Sequence, residues 1–184
     1  MSKARLQEFY EANIKPELQK DLALSNPMEV PRLEKIVLNI GLKDVVGESK
    51  KIQAIVDVLA IVVGQRPVQT KARKSLAGFK IREGMPIGIK VTLRKQLMYE
   101  FLDRLINLAL PVVRDFRGVS DKLDSRGNYN LGVKDWVIFP EVDYNVTDRS
   151  QGLNITMHTS TSSDEHARAL LKAFGMPFKR NNID

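Results

Sequence analysis

Two stretches of the chain alternate between apolar and polar residues, and this pattern restricts the possible folds more than any other feature. Between residues 32 and 42 one side of the chain carries four apolar side chains, Ile36, Leu38, Ile40 and Leu42. Between residues 87 and 94 the apolar side chains on one side are Ile87, Ile89, Val91 and Leu93. A period of two is typical of a β-strand with one buried face. Both stretches are therefore predicted to be strands of a sheet whose other face is open.

The remaining elements are predicted from helical periodicity and from short apolar runs. Four helices are expected, at residues 3–13, 16–24, 50–63 and 96–110. Pro16 would start the second helix and Pro111 would end the fourth. A last helix would begin at a capping box of Ser162 and Glu165 and end at Gly175. Further strands are expected at 68–72, 136–139 and 153–159, with a loop at 111–135.

This order of elements predicts an α+β fold. Its sheet would be mostly antiparallel, with helices packed on one face and the other face open. The side chains predicted on the open face are Lys35, Asn39, Lys90, Thr92 and Arg94. An amide, a hydroxyl and three cations have no good role in a core, but they suit hydrogen bonding to sugars and phosphates.

The positive charge of the chain is concentrated in one window. Residues 71–95 contain eight basic residues and a single acid, Glu83, so this window accounts for the whole formal net charge of +7. A basic surplus gathered in a stretch with several glycines favours a polyanionic partner, most often a nucleic acid. A solvated basic loop without a partner is the alternative. Phe79 within this loop would either stack on a base or pin the loop to the body of the protein.

Other classes of protein are disfavoured by what the sequence lacks. There is no cysteine, which excludes disulfides and thiolate metal sites and favours a cytosolic protein. No apolar run predicts a signal peptide or a membrane span. The two histidines, His158 and His166, have no cysteine or carboxylate triad beside them, so neither is predicted to be catalytic or to bind a metal. Trp136 lies in an apolar run and is expected in the core. No cofactor is predicted.

Several long segments resemble one family. They are VPRLEKIVLNIG (30–41), GQRPVQTKARKSLAGFKIREGMPIGIKVTLR (64–94), LPVVRDFRGVS (110–120), GNYNLGVKDWVIFPEV (127–142) and ALLKAFGMPF (169–178). Together they resemble the bacterial ribosomal protein L5 family, which binds 5S ribosomal RNA, over essentially the whole chain. One departure is Asp135-Trp136, where the family more often has Glu-Gln.

The resemblance implies a structural, non-catalytic constituent of the large ribosomal subunit in the cytoplasm. Such a protein joins 5S rRNA to the central protuberance, beside large-subunit rRNA. It contacts P-site tRNA and takes part in a bridge to a small-subunit head protein. It would act as a monomer within the ribosome, a single domain of residues 1–184 with an N-terminal helical segment (1–30) and a protruding basic loop (73–86).

The resemblance also assigns roles to residues. Six residues are implied to contact 5S rRNA, and Lys90 is added from the predicted open face. The predicted 5S rRNA contacts are thus Lys35, Asn39, Gln65, Thr70, Lys90, Thr92 and Arg94. The predicted tRNA contacts in the basic loop are Lys74, Lys80 and Arg82. Two other functions fit the sequence less well. A nucleic-acid enzyme lacks a catalytic constellation here, and a membrane-surface protein would need a continuous basic amphipathic helix.

Overall fold

A computed structural model describes residues 3–42, 49–142 and 151–179 of the chain. Its helices are α1 (Arg5–Phe9), α2 (Lys15–Asp21), α3 (Ser49–Val63), α4 (Lys95–Arg104), α5 (Leu110–Val112) and α6 (Asp164–Ala173). Its strands are β1 (Leu33–Gly41), β2 (Val68–Lys71), β3 (Pro86–Leu93), β4 (Tyr129–Val133) and β5 (Leu153–Thr159). Within these ranges no helix is long and apolar enough to cross a bilayer.

The five described strands form one antiparallel sheet in the order β2-β3-β1-β5-β4. The predicted α+β fold is therefore confirmed. In β1 and β3 the alternation places Leu38, Ile40, Ile89 and Val91 in the core, each at most 3% exposed. Ile87 is an exception, because it lies at the start of β3, where the apolar layer ends, and is 38% exposed.

The strand predicted at 136–139 is wrong. Trp136–Ile138 forms a 3₁₀ turn, and the strand that pairs with β5 is β4, inside the predicted loop. A short apolar run marks burial but does not fix the type of element. The turn buries Trp136 and Phe139, each 1% exposed, and the Trp136 amide donates to the Gln151 carbonyl at 3.1 Å. Trp136 lies in the core, as expected.

Two prolines lie within continuous helical segments, where breaks were predicted. The π-helical turn Tyr10–Ile14 joins α1 to α2 and ends two residues before Pro16. The π-helical turn Leu105–Ala109 joins α4 to α5 and ends two residues before Pro111. A proline lacks the amide hydrogen, and its ring clashes with the carbonyl four residues back. A π turn widens the preceding backbone, so the chain passes the proline without ending the helix.

The last helix starts without the predicted capping box. Its N-cap is Ser163, which makes no side-chain cap hydrogen bond. The carboxylate of Asp164 in the first turn instead accepts hydrogen bonds from the amides of Ser125 at 3.1 Å and Gly127 at 2.8 Å. The residue therefore orders the loop before β4.

The chain divides into two compact units. Unit 1 comprises Met1–Ile36, Leu93–Leu131 and Thr156–Asp184, and unit 2 comprises Val37–Thr92 and Gly132–Ile155. Unit 1 buries an aromatic cluster in which the rings of Tyr10 and Phe174 stack with centroids 5.7 Å apart. Unit 2 buries the apolar face of α3 and the inward residues of its strands, among them Val56, Leu59 and Leu38. Each unit thus has its own core.

Candidate nucleic-acid interface

In unit 2, three polar or small positions from three neighbouring strands converge on the open face of the sheet. Thr70 of β2 pairs with Gly88 of β3. A Cβ atom placed on Gly88 would lie 2.8 Å from Thr70 Oγ1 and 3.9 Å from Asn39 Oδ1. A glycine in mid-strand often marks a close approach of neighbouring groups. Gly88 therefore leaves room for a hydroxyl and an amide, and it joins the candidate site as a residue that the sequence pattern did not single out.

The other predicted residues of β3 share this face. Lys90 is exposed and Thr92 is half-buried, while Ile89 and Val91 between them are buried. Asn39 is exposed, as the alternation predicts, and its side chain makes no hydrogen bond to another described residue. The face of unit 2 therefore presents an amide, two hydroxyls and an ammonium group to solvent.

Gln65 lies outside the strands. It is exposed in the turn between α3 and β2. Gln65 is only five residues from Thr70 in the chain. Its side chain makes no hydrogen bond to another of the described residues.

The basic loop between β2 and β3 has a defined backbone. Leu76 and Ile81 form an antiparallel bridge, with N–H to O distances of 2.9 and 3.2 Å, around a 3₁₀ turn at Ala77–Phe79. Lys80 follows this turn with a left-handed φ of 53°. At the base of the loop the Ala72 amide donates to the Met85 carbonyl at 2.8 Å. The stretch predicted as a protruding basic loop is thus the hydrogen-bonded end of a hairpin.

The cations of the loop are presented to solvent. Lys74, Lys80 and Arg82 are exposed, and none of them pairs with an acid among the described residues. Phe79 is 77% exposed, so it does not pin the loop to the body of the protein. The loop therefore offers unpaired charge together with an aromatic ring.

Unit 1 holds the two other predicted contacts. Lys35 is half-buried in β1. Arg94 is the exposed N-cap of α4 and precedes Lys95, which has a φ of +52°. Arg94 and Lys95 line an open cleft of about 780 Å³ together with Arg32 and the buried Tyr99. This cleft adds cations that the alternating pattern did not include.

Unit 1 also carries a row of uncharged polar side chains that sequence reasoning missed. On β5, Met157 and Thr159 are buried, so Thr156 and His158 occupy the opposite face. Thr156 Oγ1 donates to Asn130 Oδ1 at 2.7 Å, and His158 Nδ1 lies 3.0 Å from Asn128 Oδ1. The signal in the sequence is the alternation of polar and apolar residues between 154 and 158.

Comparison with known proteins identifies the family of the chain. Residues 26–82 match the family model of ribosomal protein L5, and residues 86–178 match the model of the C-terminus of the same ribosomal family. The chain belongs to the ribosomal protein L5 family. It is 56% identical over 177 residues to the large ribosomal subunit protein uL5 of Geotalea uraniireducens (strain Rf4), covering 96% of this chain and 99% of that protein. It is 57% identical to uL5 of Geobacter sulfurreducens over 177 residues, with the same coverage.

Membership of the L5 family fixes the general role of the chain. It is a structural, non-enzymatic constituent of the large subunit of the bacterial ribosome, associates with rRNA and resides in the cytoplasmic ribosome. Trp136 is 1% exposed, so its side chain is part of the fold and not of a surface contact.

Proposed function

We propose that the chain binds 5S rRNA and anchors it in the central protuberance of the large subunit. The observation that carries this proposal is the convergence of Asn39, Thr70 and Gly88 on an open sheet face beside the exposed Lys90. Hydroxyl and amide groups on a fixed backbone are suited to a permanent RNA partner, because strands set the direction of each side chain. The full set of proposed contacts is Lys35, Asn39, Gln65, Thr70, Lys90, Thr92 and Arg94.

The basic loop is proposed to contact P-site tRNA. Its three cations, Lys74, Lys80 and Arg82, are exposed and have no acidic partner among the described residues. Phosphate contacts depend more on charge than on fixed geometry, which suits a ligand that arrives and leaves in each cycle. The exposed Phe79 is proposed to add stacking on a base.

Membership of the family supports a proposal about the wider assembly. The chain is proposed to act as a single RNA-binding domain and as a monomer within the ribosome. It would also contact large-subunit rRNA and take part in a bridge to a small-subunit head protein.

RNA capture followed by sequencing tests the central proposal. The purified protein is expected to enrich 5S rRNA from total RNA. A filter-binding titration of that complex is expected to lose affinity steeply with salt, with a log–log slope of about −0.7 to −0.9 for each phosphate contacted. A flat salt response, or retention of anionic vesicles in place of RNA, would contradict RNA binding as the function.

A further inference from the structure

The face of β4 and β5 in unit 1 carries hydrogen-bonding side chains to which no role has been assigned. Asn130 is exposed, whereas Thr156 and His158 are half-buried, and none of the three is charged at neutral pH as a rule. Strand β1 lies next to β5 in the sheet, and it carries the half-buried Lys35. Proteins contact the sugars and phosphates of nucleic acids through such a combination of a cation with uncharged donors and acceptors.

A chain of hydrogen bonds fixes which nitrogen of His158 carries the proton. The carboxylate of Asp124 can only accept, and it accepts from Asn128 Nδ2 at 2.7 Å. The amide oxygen of Asn128 therefore faces His158 Nδ1, at 3.0 Å. Because that oxygen can only accept, Nδ1 must be the donor, and in the neutral ring Nε2 is then an acceptor.

The same loop holds this arrangement in place. Asp124 Oδ1 accepts hydrogen bonds from the backbone amides of Arg126 and Asn128, both at 2.9 Å. The Asp124 side chain is therefore fixed from three directions, and with it the orientation of the Asn128 amide. The tautomer of His158 is preset before any ligand arrives.

The surroundings of His158 keep the ring neutral. Burial, followed by the positive charge of Lys35, lowers the pKa of His158 below its usual value. The carboxylates of Asp124 and Glu34 act in the opposite direction and are outweighed. At neutral pH the lone pair of Nε2 is retained.

Beside His158, Thr156 and Asn130 form a pair that adds a hydrogen-bond donor to the acceptor of the histidine. Thr156 Oγ1 donates to Asn130 Oδ1 at 2.7 Å, which orients the Asn130 amide with its Nδ2 group directed elsewhere. That Nδ2 group has no acceptor among the described residues. One acceptor, one amide donor and one cation thus lie on neighbouring strands.

We propose that His158 Nε2, with Lys35 and Asn130, forms a subsite that recognises the ribose of RNA by accepting a hydrogen bond from a 2′-hydroxyl. The sugar–phosphate backbone offers acceptors almost everywhere, and its one donor is the 2′-hydroxyl, which also distinguishes RNA from DNA. An acceptor beside a phosphate-binding cation is therefore matched to that group. The proposal rests on the proposed binding of rRNA and extends it from Lys35, one of the proposed contacts, to side chains of β4 and β5 that are not among them.

A thermodynamic cycle tests the subsite. Binding of 5S rRNA and of copies with 2′-deoxy substitutions in successive segments is measured for the natural protein and for His158→Phe. This variant replaces the imidazole with a phenyl ring and so removes the Nε2 acceptor. In one segment of the RNA the 2′-deoxy substitution is expected to weaken binding of the natural protein about 5- to 10-fold, the usual effect of one hydrogen bond. His158→Phe is expected to lose that sensitivity. His166→Phe, at the other histidine of the chain, should behave as the natural protein does.

The outcomes separate this subsite from the general function. If every 2′-deoxy copy affects the natural protein and His158→Phe equally while both bind with a steep salt dependence, the subsite is wrong and 5S rRNA binding stands. If the natural protein does not bind 5S rRNA, the proposed function itself fails.

Two further measurements do not depend on the variant being folded. ¹⁵N NMR of the imidazole in the natural protein is expected to show a protonated Nδ1 and a bare Nε2 whose shift changes on binding RNA but not on binding the 2′-deoxy copy. The opposite tautomer would overturn the proposal. Lys35, Glu34 and Asp124 are the charged groups that act on the pKa of His158. Acidification through that pKa should abolish the ribose preference, since Nε2 then becomes a donor. A preference that is unchanged at acid pH would also overturn it.

Discussion

Thr70 and Gly88 lie opposite each other on β2 and β3, and the hydroxyl of Thr70 occupies the space into which a side chain on Gly88 would project. A Cβ atom there would lie 2.8 Å from Thr70 Oγ1 and 3.1 Å from the Ile40 carbonyl oxygen. The first group can rotate away, but the second belongs to the backbone of β1. The open face at this point is therefore shaped by the absence of a side chain.

Gly88→Ala is expected to destabilise the protein by about 1–3 kcal/mol, the usual cost of overpacking, and to weaken 5S rRNA binding by displacing Thr70. Urea unfolding and filter binding measure the two effects. Gly132→Ala is the matched control, because a Cβ atom there would meet nothing closer than Asn154 Oδ1 at 3.7 Å. Equal effects of the two substitutions would contradict the crowding at Gly88.

Asn39→Ala is expected to weaken 5S rRNA binding by about 1–3 kcal/mol, the range for a lost hydrogen-bond partner, with little change in melting temperature. The side chain is exposed and makes no contact that stabilises the fold among the described residues. Asn107→Ala, at an exposed asparagine outside the sheet, is the control for binding. A fall in melting temperature without a loss of binding would assign Asn39 to the fold instead.

The basic loop and the sheet face are expected to be separable in function. The triple substitution Lys74→Ala, Lys80→Ala and Arg82→Ala should leave 5S rRNA binding nearly intact and reduce the occupancy of P-site tRNA on purified ribosomes. The charge-conserving triple Lys74→Arg, Lys80→Arg and Arg82→Lys should retain that occupancy, because phosphate contacts depend on charge. Loss of 5S rRNA binding with unchanged tRNA occupancy would reverse the two roles.

Alkaline pH is expected to destabilise unit 1 through its buried tyrosines. Burial raises the pKa of Tyr99 to about 12, against about 10 in the unfolded chain. Since the folded state favours the neutral phenol, this stability is fully present below pH 10 and is lost as the pH rises toward 12.

Urea unfolding between pH 8 and pH 11 measures this effect. Tyr99→Phe should match the natural protein at pH 8 and lose less stability by pH 11. Tyr129→Phe should differ, because it also removes the hydrogen bond from Tyr129 Oη to the Ser120 carbonyl, at 2.6 Å, and so should be less stable already at pH 8. An identical decline for Tyr99→Phe and the natural protein would exclude Tyr99 as a cause.

At two prolines and at the apolar run 136–139, the local sequence pattern predicted the wrong backbone structure. The sequence pattern placed breaks at Pro16 and Pro111, but both helices continue, because a π turn before each proline accommodates the ring. The run around Trp136 was correctly expected in the core, yet its backbone forms a turn. The apolar composition of a short run predicts that it is buried. Whether the run forms a strand or a turn depends on the elements that pack against it in the fold.

Periodicity alone determined the inward and outward faces of β1 and β3, because side-chain direction in a strand repeats every two residues whatever the partner. The exposed positions of Asn39 and Lys90, the concentration of charge in residues 71–95 and the family of the chain could all be read from the sequence. Only the tertiary structure decided which strands lie side by side. The closeness of Gly88 to Thr70 and the hydrogen bond between His158 and Asn128 both depend on the pairing of residues far apart in the chain, and no local pattern specifies that register.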